Sequence, residues 1–125
     1  MTYRFARRLL LLQVLLILIG TQMPGAWRAG IEGSLHAPFE LSSWAHFVLF
    51  VGMAMVAYSR PLAWPWQRVL LAALGLALLT EGLQFFAIDR HPRWLDVGID
   101  LAGALAGALL IMTIARLRKP RDLPL

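Results

Sequence analysis

A chain of 125 residues has room for a single domain, here 1–125. Its 59% apolar and 15% charged residues depart from the roughly 45–50% and 25% of soluble domains, so the excess apolar surface calls for a bilayer. The absence of cysteine excludes a disulfide framework, a thiolate metal site and a cysteine nucleophile. The formal charge of +5 does not point to nucleic acid, because the arginines lie between apolar runs rather than along one soluble face.

Four apolar stretches follow one another along the chain, at about 5–23, 41–58, 66–86 and 94–115. Each has the length a helix needs to cross about 30 Å of hydrocarbon, and lipid forces the backbone to satisfy its own hydrogen bonds. The expected fold is therefore all-α, an integral membrane bundle of four transmembrane helices. The first stretch begins with Arg4, Arg7 and Arg8 and continues through the apolar run Leu9 to Ile19, broken only by Gln13. The same pattern describes a signal peptide with Gly25-Ala26 as a poor cleavage region, and both readings stay open. Residues 24–40, with Gly25, Gly30, Gly33 and Pro38, read as an exposed loop. Ser42 or Ser43 can N-cap the second helix. Pro61 and Pro65 bracket the next loop, and Pro65 can start the third helix. Asp89-Arg90-His91-Pro92-Arg93 is too polar for the core and reads as a tight loop before the fourth helix.

Basic residues set the orientation. Nine of them (Arg4, Arg7, Arg8, Arg60, Arg68, Arg116, Arg118, Lys119 and Arg121) fall on one side of the expected membrane, and three (Arg28, Arg90 and Arg93) on the other. The positive-inside rule then places both termini in the cytoplasm. Trp27, Trp44 and Trp94 fall at the outer boundary, with Trp64 and Trp66 at the inner one, as interfacial aromatics do.

Ionisable residues inside spans are costly and usually face a bundle interior or a cavity. Here they converge in depth. His46 lies near the outer end of the second helix, Glu81 and Gln84 one turn apart in the outer third of the third, and Asp96 and Asp100 one turn apart at the start of the fourth. Arg90 and Arg93 sit in the loop above. Three carboxylates at one level repel, so at least one should hold a proton at neutral pH. Gly103 and Gly107 continue the stripe of Asp96 and Asp100 on the fourth helix, where a G-x-x-x-G lets helix backbones approach closely in lipid. Two readings of the cluster remain. It can be a ligand site, or it can be structural, with Asp96 favoured by the helix N-terminus and Glu81 tied to Arg90.

At these residues the sequence resembles the VanZ-like family of bacterial membrane proteins. His46-Phe47 matches the family's His-Phe, and Glu81-Gly82-Leu83-Gln84 matches its acidic residue followed three positions later by Gln. Arg90 precedes Asp96 by six positions, and Asp100, Gly103 and Gly107 match a polar residue followed by two glycines. The resemblance covers roughly His46 to Gly107. Ser42 and Ser43 stand where members often carry Asp-Lys, and Asp100 stands at a position that is usually Asn, which adds a potential charge. The resemblance implies the bacterial cytoplasmic membrane, and the family is named for a component linked to glycopeptide resistance, chiefly towards teicoplanin.

The expected role is a binding module at the outer leaflet for a small polar or lipid-linked cell-envelope ligand, with His46, Glu81, Gln84, Arg90, Asp96 and Asp100 as its polar cluster. Alternatives are a membrane enzyme acting on an envelope lipid, with His46 or Glu81 as general base, and a structural accessory subunit. No HExxH or nucleophile-elbow pattern accompanies the cluster. Nothing in the sequence calls for a cofactor, a metal or nucleic acid. The expected partners are the lipid bilayer and the envelope ligand.

Overall fold

A computed structural model of the chain describes residues 1–36 and 41–118, without the side chains of residues 41 and 42. Five α-helices and no strands are present among the described residues: α1 (Tyr3–Thr21), α2 (Gly25–Ser34), α3 (Leu41–Tyr58), α4 (Trp66–Gln84) and α5 (Trp94–Arg118). Thr2 caps α1 by accepting a hydrogen bond from the Phe5 N–H at 3.3 Å. Pro65 occupies the N-cap of α4, directly before its first helical residue.

Several expectations are corrected. Residues 24–40 are not a simple loop, because Gly25–Ser34 forms α2, which leaves the axis of α1 at 97°. Glycines at 25, 30 and 33 argued against a helix on propensity, yet docking overrides propensity here. The Gly25 N–H donates to the Ile88 carbonyl at 3.4 Å, and a Cβ at Gly25 would come within 2.5 Å of the Asp89 carbonyl oxygen. Ser42 and Ser43 lie in the first turn of α3 rather than ahead of it. The third apolar stretch stops as helix at Gln84, and the last one continues to Arg118.

The exterior of the bundle is apolar, and its interior joins an apolar core around Ile17, Phe50, Met53 and Val69 to a buried polar layer at one end. Leu11, Leu12, Leu15, Leu16, Ile19, Leu71, Leu79 and Leu109 are about half or more exposed. His46, Glu81, Gln84, Asp96 and Asp100 are buried, as are Thr21, Thr80 and Arg90. An exterior this apolar is unfavourable in water, whereas lipid covers it and leaves the polar groups to find their partners inside the bundle. Two helices, α4 and α5, are each long and apolar enough to cross a membrane, and the bent pair α1 and α2 makes a third if it counts as one span. Ser43–Tyr58 of α3 is a shorter apolar helix.

The tightest pair is α3 with α5; α4 lies against α5, and α1 against α3. Small residues make this possible. A Cβ at Gly103 would come within 2.5 Å of the Phe47 carbonyl oxygen, and one at Gly107 would collide with the Val51 carbonyl oxygen. Ala54, Ala57, Ala73, Ala77, Ala104 and Ala108 are buried where the helices pack together. Phe50 is the largest fully buried side chain. Close backbone approach maximises dispersion contacts, which lipid cannot replace with a hydrophobic driving force.

Candidate functional site

The end of α1, the start of α3, the end of α4 and the start of α5 meet at one end of the bundle, and the buried polar residues gather there. Antiparallel neighbours explain this: polar groups near one loop level converge when short connections reverse the chain.

His46 and Asp100 form the centre. His46 Nδ1 and Asp100 Oδ1 are 2.8 Å apart, and neither side chain exposes more than 5% of its surface. With the proton on Nδ1, His46 donates to the carboxylate and Nε2 remains for another partner. The family's usual Asn at this position could accept the same N–H but could not balance an imidazolium. Asp100 also has a second oxygen, Oδ2, buried without a hydrogen-bond partner among the described residues.

One turn earlier on α5, Asp96 receives two hydrogen bonds from the Arg93 guanidinium, Nη2 to Oδ1 at 3.0 Å and Nε to Oδ2 at 3.3 Å. This fork fits the planar guanidinium. Glu81 does not tie to Arg90 by a short contact. Its Oε2 accepts the Arg93 backbone N–H at 2.7 Å, and Oε1 is buried without a partner among the described residues. Arg93 therefore joins α4 to α5 through both its backbone and its side chain. Gln84 faces α1, where its Nε2 donates to the Thr21 carbonyl at 3.4 Å, and its Oε1 is another buried acceptor without a partner. Gln22 Nε2 donates to the Thr80 carbonyl at 3.1 Å, so α1 and α4 exchange amide bonds in both directions.

Two clefts open from this layer. The first, about 270 Å3, lies between α1, α2 and α3; its polar wall includes His46, Arg28, Arg90 and Glu32, and Ile31 and Leu49 stand on its apolar side. The second, about 320 Å3, lies between α4 and α5 and is lined by Glu81, Arg93, Pro92, Phe85 and Trp94. The six residues of the sequence-derived cluster are thus all buried at one end, but they do not share one opening: His46 and Arg90 face the first cleft and Glu81 the second. Burial, and then the positive charge of Arg28, lower the pKa of Arg90 from its usual value, while Asp96 and Glu81 act in the opposite direction. An anion beside Arg28 and Arg90 would relieve the mutual repulsion.

Thr21, Gln22, Arg28 and Thr80 were not among the expected cluster, and Arg93, expected in the loop above it, binds two of its members. Thr21 and Gln22 carried a readable signal, two polar residues closing an apolar run, but that signal equally marks an ordinary helix end. Arg28 joins the cleft only because α2 folds back at a right angle. Among the described residues, no group of three or more His, Asp or Glu has a metal-holding arrangement.

The sequence pattern of the VanZ/LLP1 family matches residues 5–116. No curated protein and no solved structure matches the chain.

Proposed function

The chain belongs to the VanZ/LLP1 family, and on that basis we propose that it is a multi-pass protein of the bacterial cytoplasmic membrane that binds a small anionic or lipid-linked envelope ligand in the cleft lined by His46, Arg28 and Arg90. In this reading all four long helices span, both termini are cytoplasmic, and the polar end lies in the outer leaflet. The supporting observation is the wall of that cleft. Two guanidinium groups from separate elements, against the single carboxylate of Glu32, stand beside a His46 already oriented by Asp100, and Met23, Ile31 and Leu49 supply the apolar lining. Ligand pockets commonly combine a largely apolar lining with a few convergent polar groups. The glycopeptide-resistance link of the family's namesake makes the cell envelope the natural source of the ligand.

Dihexanoyl phosphatidic acid is a suitable probe, since it carries a phosphate monoester and a short apolar tail. Binding to the detergent-solubilised full chain is measured by calorimetry. Arg90→Gln is expected to weaken binding at least about tenfold, the scale of one charge-assisted contact. His46→Ala should also weaken it. A folded wild-type chain with no affinity for the probe, or an Arg90→Gln variant that binds equally well, would favour the structural reading.

The His46–Asp100 pair also supports a second reading. A carboxylate on Nδ1 leaves Nε2 as a general base, the arrangement that activates water or a hydroxyl in many hydrolytic sites. Turnover of an envelope phospholipid by the purified chain, lost in His46→Gln but with probe binding retained, would select the enzyme.

A further inference from the structure

The end of the bundle opposite the polar layer carries a groove of about 630 Å3 between the α3–α4 connection and the last turns of α5. Arg60 comes to it from the connection and Arg118 from the end of α5. Trp64 and Trp66 stand on its wall, and the Arg68 guanidinium lies 4.2 Å from the centroid of the Trp64 ring. Ile114 and Ile111 lie on the same face of α5 as Arg118, one and two turns further into the bundle, about 6 and 10 Å along the axis. Cations at the mouth, aromatic rings beside them and aliphatic side chains leading inward are ordered as a phospholipid is ordered, from headgroup to acyl chain.

Charge at this end is one-sided. Arg4, Arg7 and Arg8 open α1 here, and Arg116 adds to Arg60, Arg68 and Arg118. The acidic residues among those described, Glu32, Glu81, Asp89, Asp96 and Asp100, all belong to the opposite end. Glu40 and Asp122 lie outside the described residues. The counter-charge for the groove must therefore be sought largely outside the described part of the protein.

We propose that this groove binds a phospholipid of net negative charge, with its phosphodiester between Arg60 and Arg118 and its first acyl methylenes along Ile114 and Ile111. The site is independent of the cleft at the polar end, and it distinguishes a retained lipid from the diffuse attraction that any basic surface has for an anionic leaflet. A zwitterionic phospholipid brings a phosphate too, but its ammonium cancels the charge that the two arginines select.

Native mass spectrometry of the full chain, titrated in micelles with phosphatidylglycerol or phosphatidylcholine, tests this. The wild type should prefer phosphatidylglycerol by about 30-fold, which corresponds to about 1 kcal/mol from each of the two arginines. Arg60→Gln with Arg118→Gln should abolish most of that preference. Arg4→Gln with Arg7→Gln removes the same charge at the same end but outside the groove, and should leave most of it. His46→Ala should leave it whole. If the Arg60 and Arg118 double variant does not fold, each single variant is read instead, with about a fivefold loss expected for each. Absence of a preference in the wild type, its persistence without Arg60 and Arg118, or equal losses in the two arginine pairs would overturn the proposal.

Discussion

Asp100 has no exposed surface, accepts one hydrogen bond from His46 through Oδ1, and holds Oδ2 buried without a partner among the described residues. Removing one member of a buried pair costs more than the bond itself, because the remaining group stays desolvated. Asp100→Ala should therefore lower stability by about 1–3 kcal/mol. Asp100→Asn keeps an acceptor for the His46 N–H and should cost less. Thermal unfolding in detergent ranks the variants; if alanine and asparagine are equally stable, the Nδ1 bond contributes nothing. His46, Glu81 and Asp96 were recognisable in the sequence as costly residues inside apolar stretches. Their partners were not. Pairing of Glu81 with the Arg93 backbone N–H depends on how the α4–α5 loop closes, and residue spacing carries no record of that.

At the scale of elements, the close approach of α3 and α5 decides where the polar layer sits. Gly103 and Gly107 leave room for the backbone carbonyls of Phe47 and Val51, so a side chain at either position must push the helices apart. Gly103→Leu or Gly107→Leu should reduce stability by about 1–3 kcal/mol or more, the usual cost of overpacking a tight contact. Unfolding temperature in detergent measures this. Two variants as stable as the parent would mean that α5 turns this stripe towards lipid. The glycine spacing was visible in sequence, and so was the shared stripe with Asp96 and Asp100. The identity of the partner helix was not, because small-residue stripes fit any helix that comes close. Helix α2 was the element least legible in sequence. Its glycines weaken local propensity, and its docking against the α4–α5 loop supplies what propensity lacks.

At the scale of the whole molecule, the topology proposed above is testable directly. It rests on nine basic residues on one side of the expected membrane against three on the other, with the tryptophans at the expected span boundaries. Reporter fusions after Ser59 and at the C-terminus should report the cytoplasm, and a fusion at Glu32 the outside. Cytoplasmic signal at Glu32 would overturn the four-span arrangement, and the polar cleft would then face the cytoplasm.

Composition and local runs of sequence determined that this chain is helical, that its exterior is apolar, and that the ionisable residues inside its apolar stretches gather near one end. These properties depend on segment length and residue type, which any stretch of chain carries within itself. Tertiary structure alone decided that His46 meets Asp100, that Arg93 serves both Asp96 and Glu81, and that Arg28 returns beside Arg90 on a helix bent by 97°. The reason is rotational. A helix presents every side of itself equally until its neighbours pack, and a rotation of one residue, about 100°, changes which side chain faces the cleft.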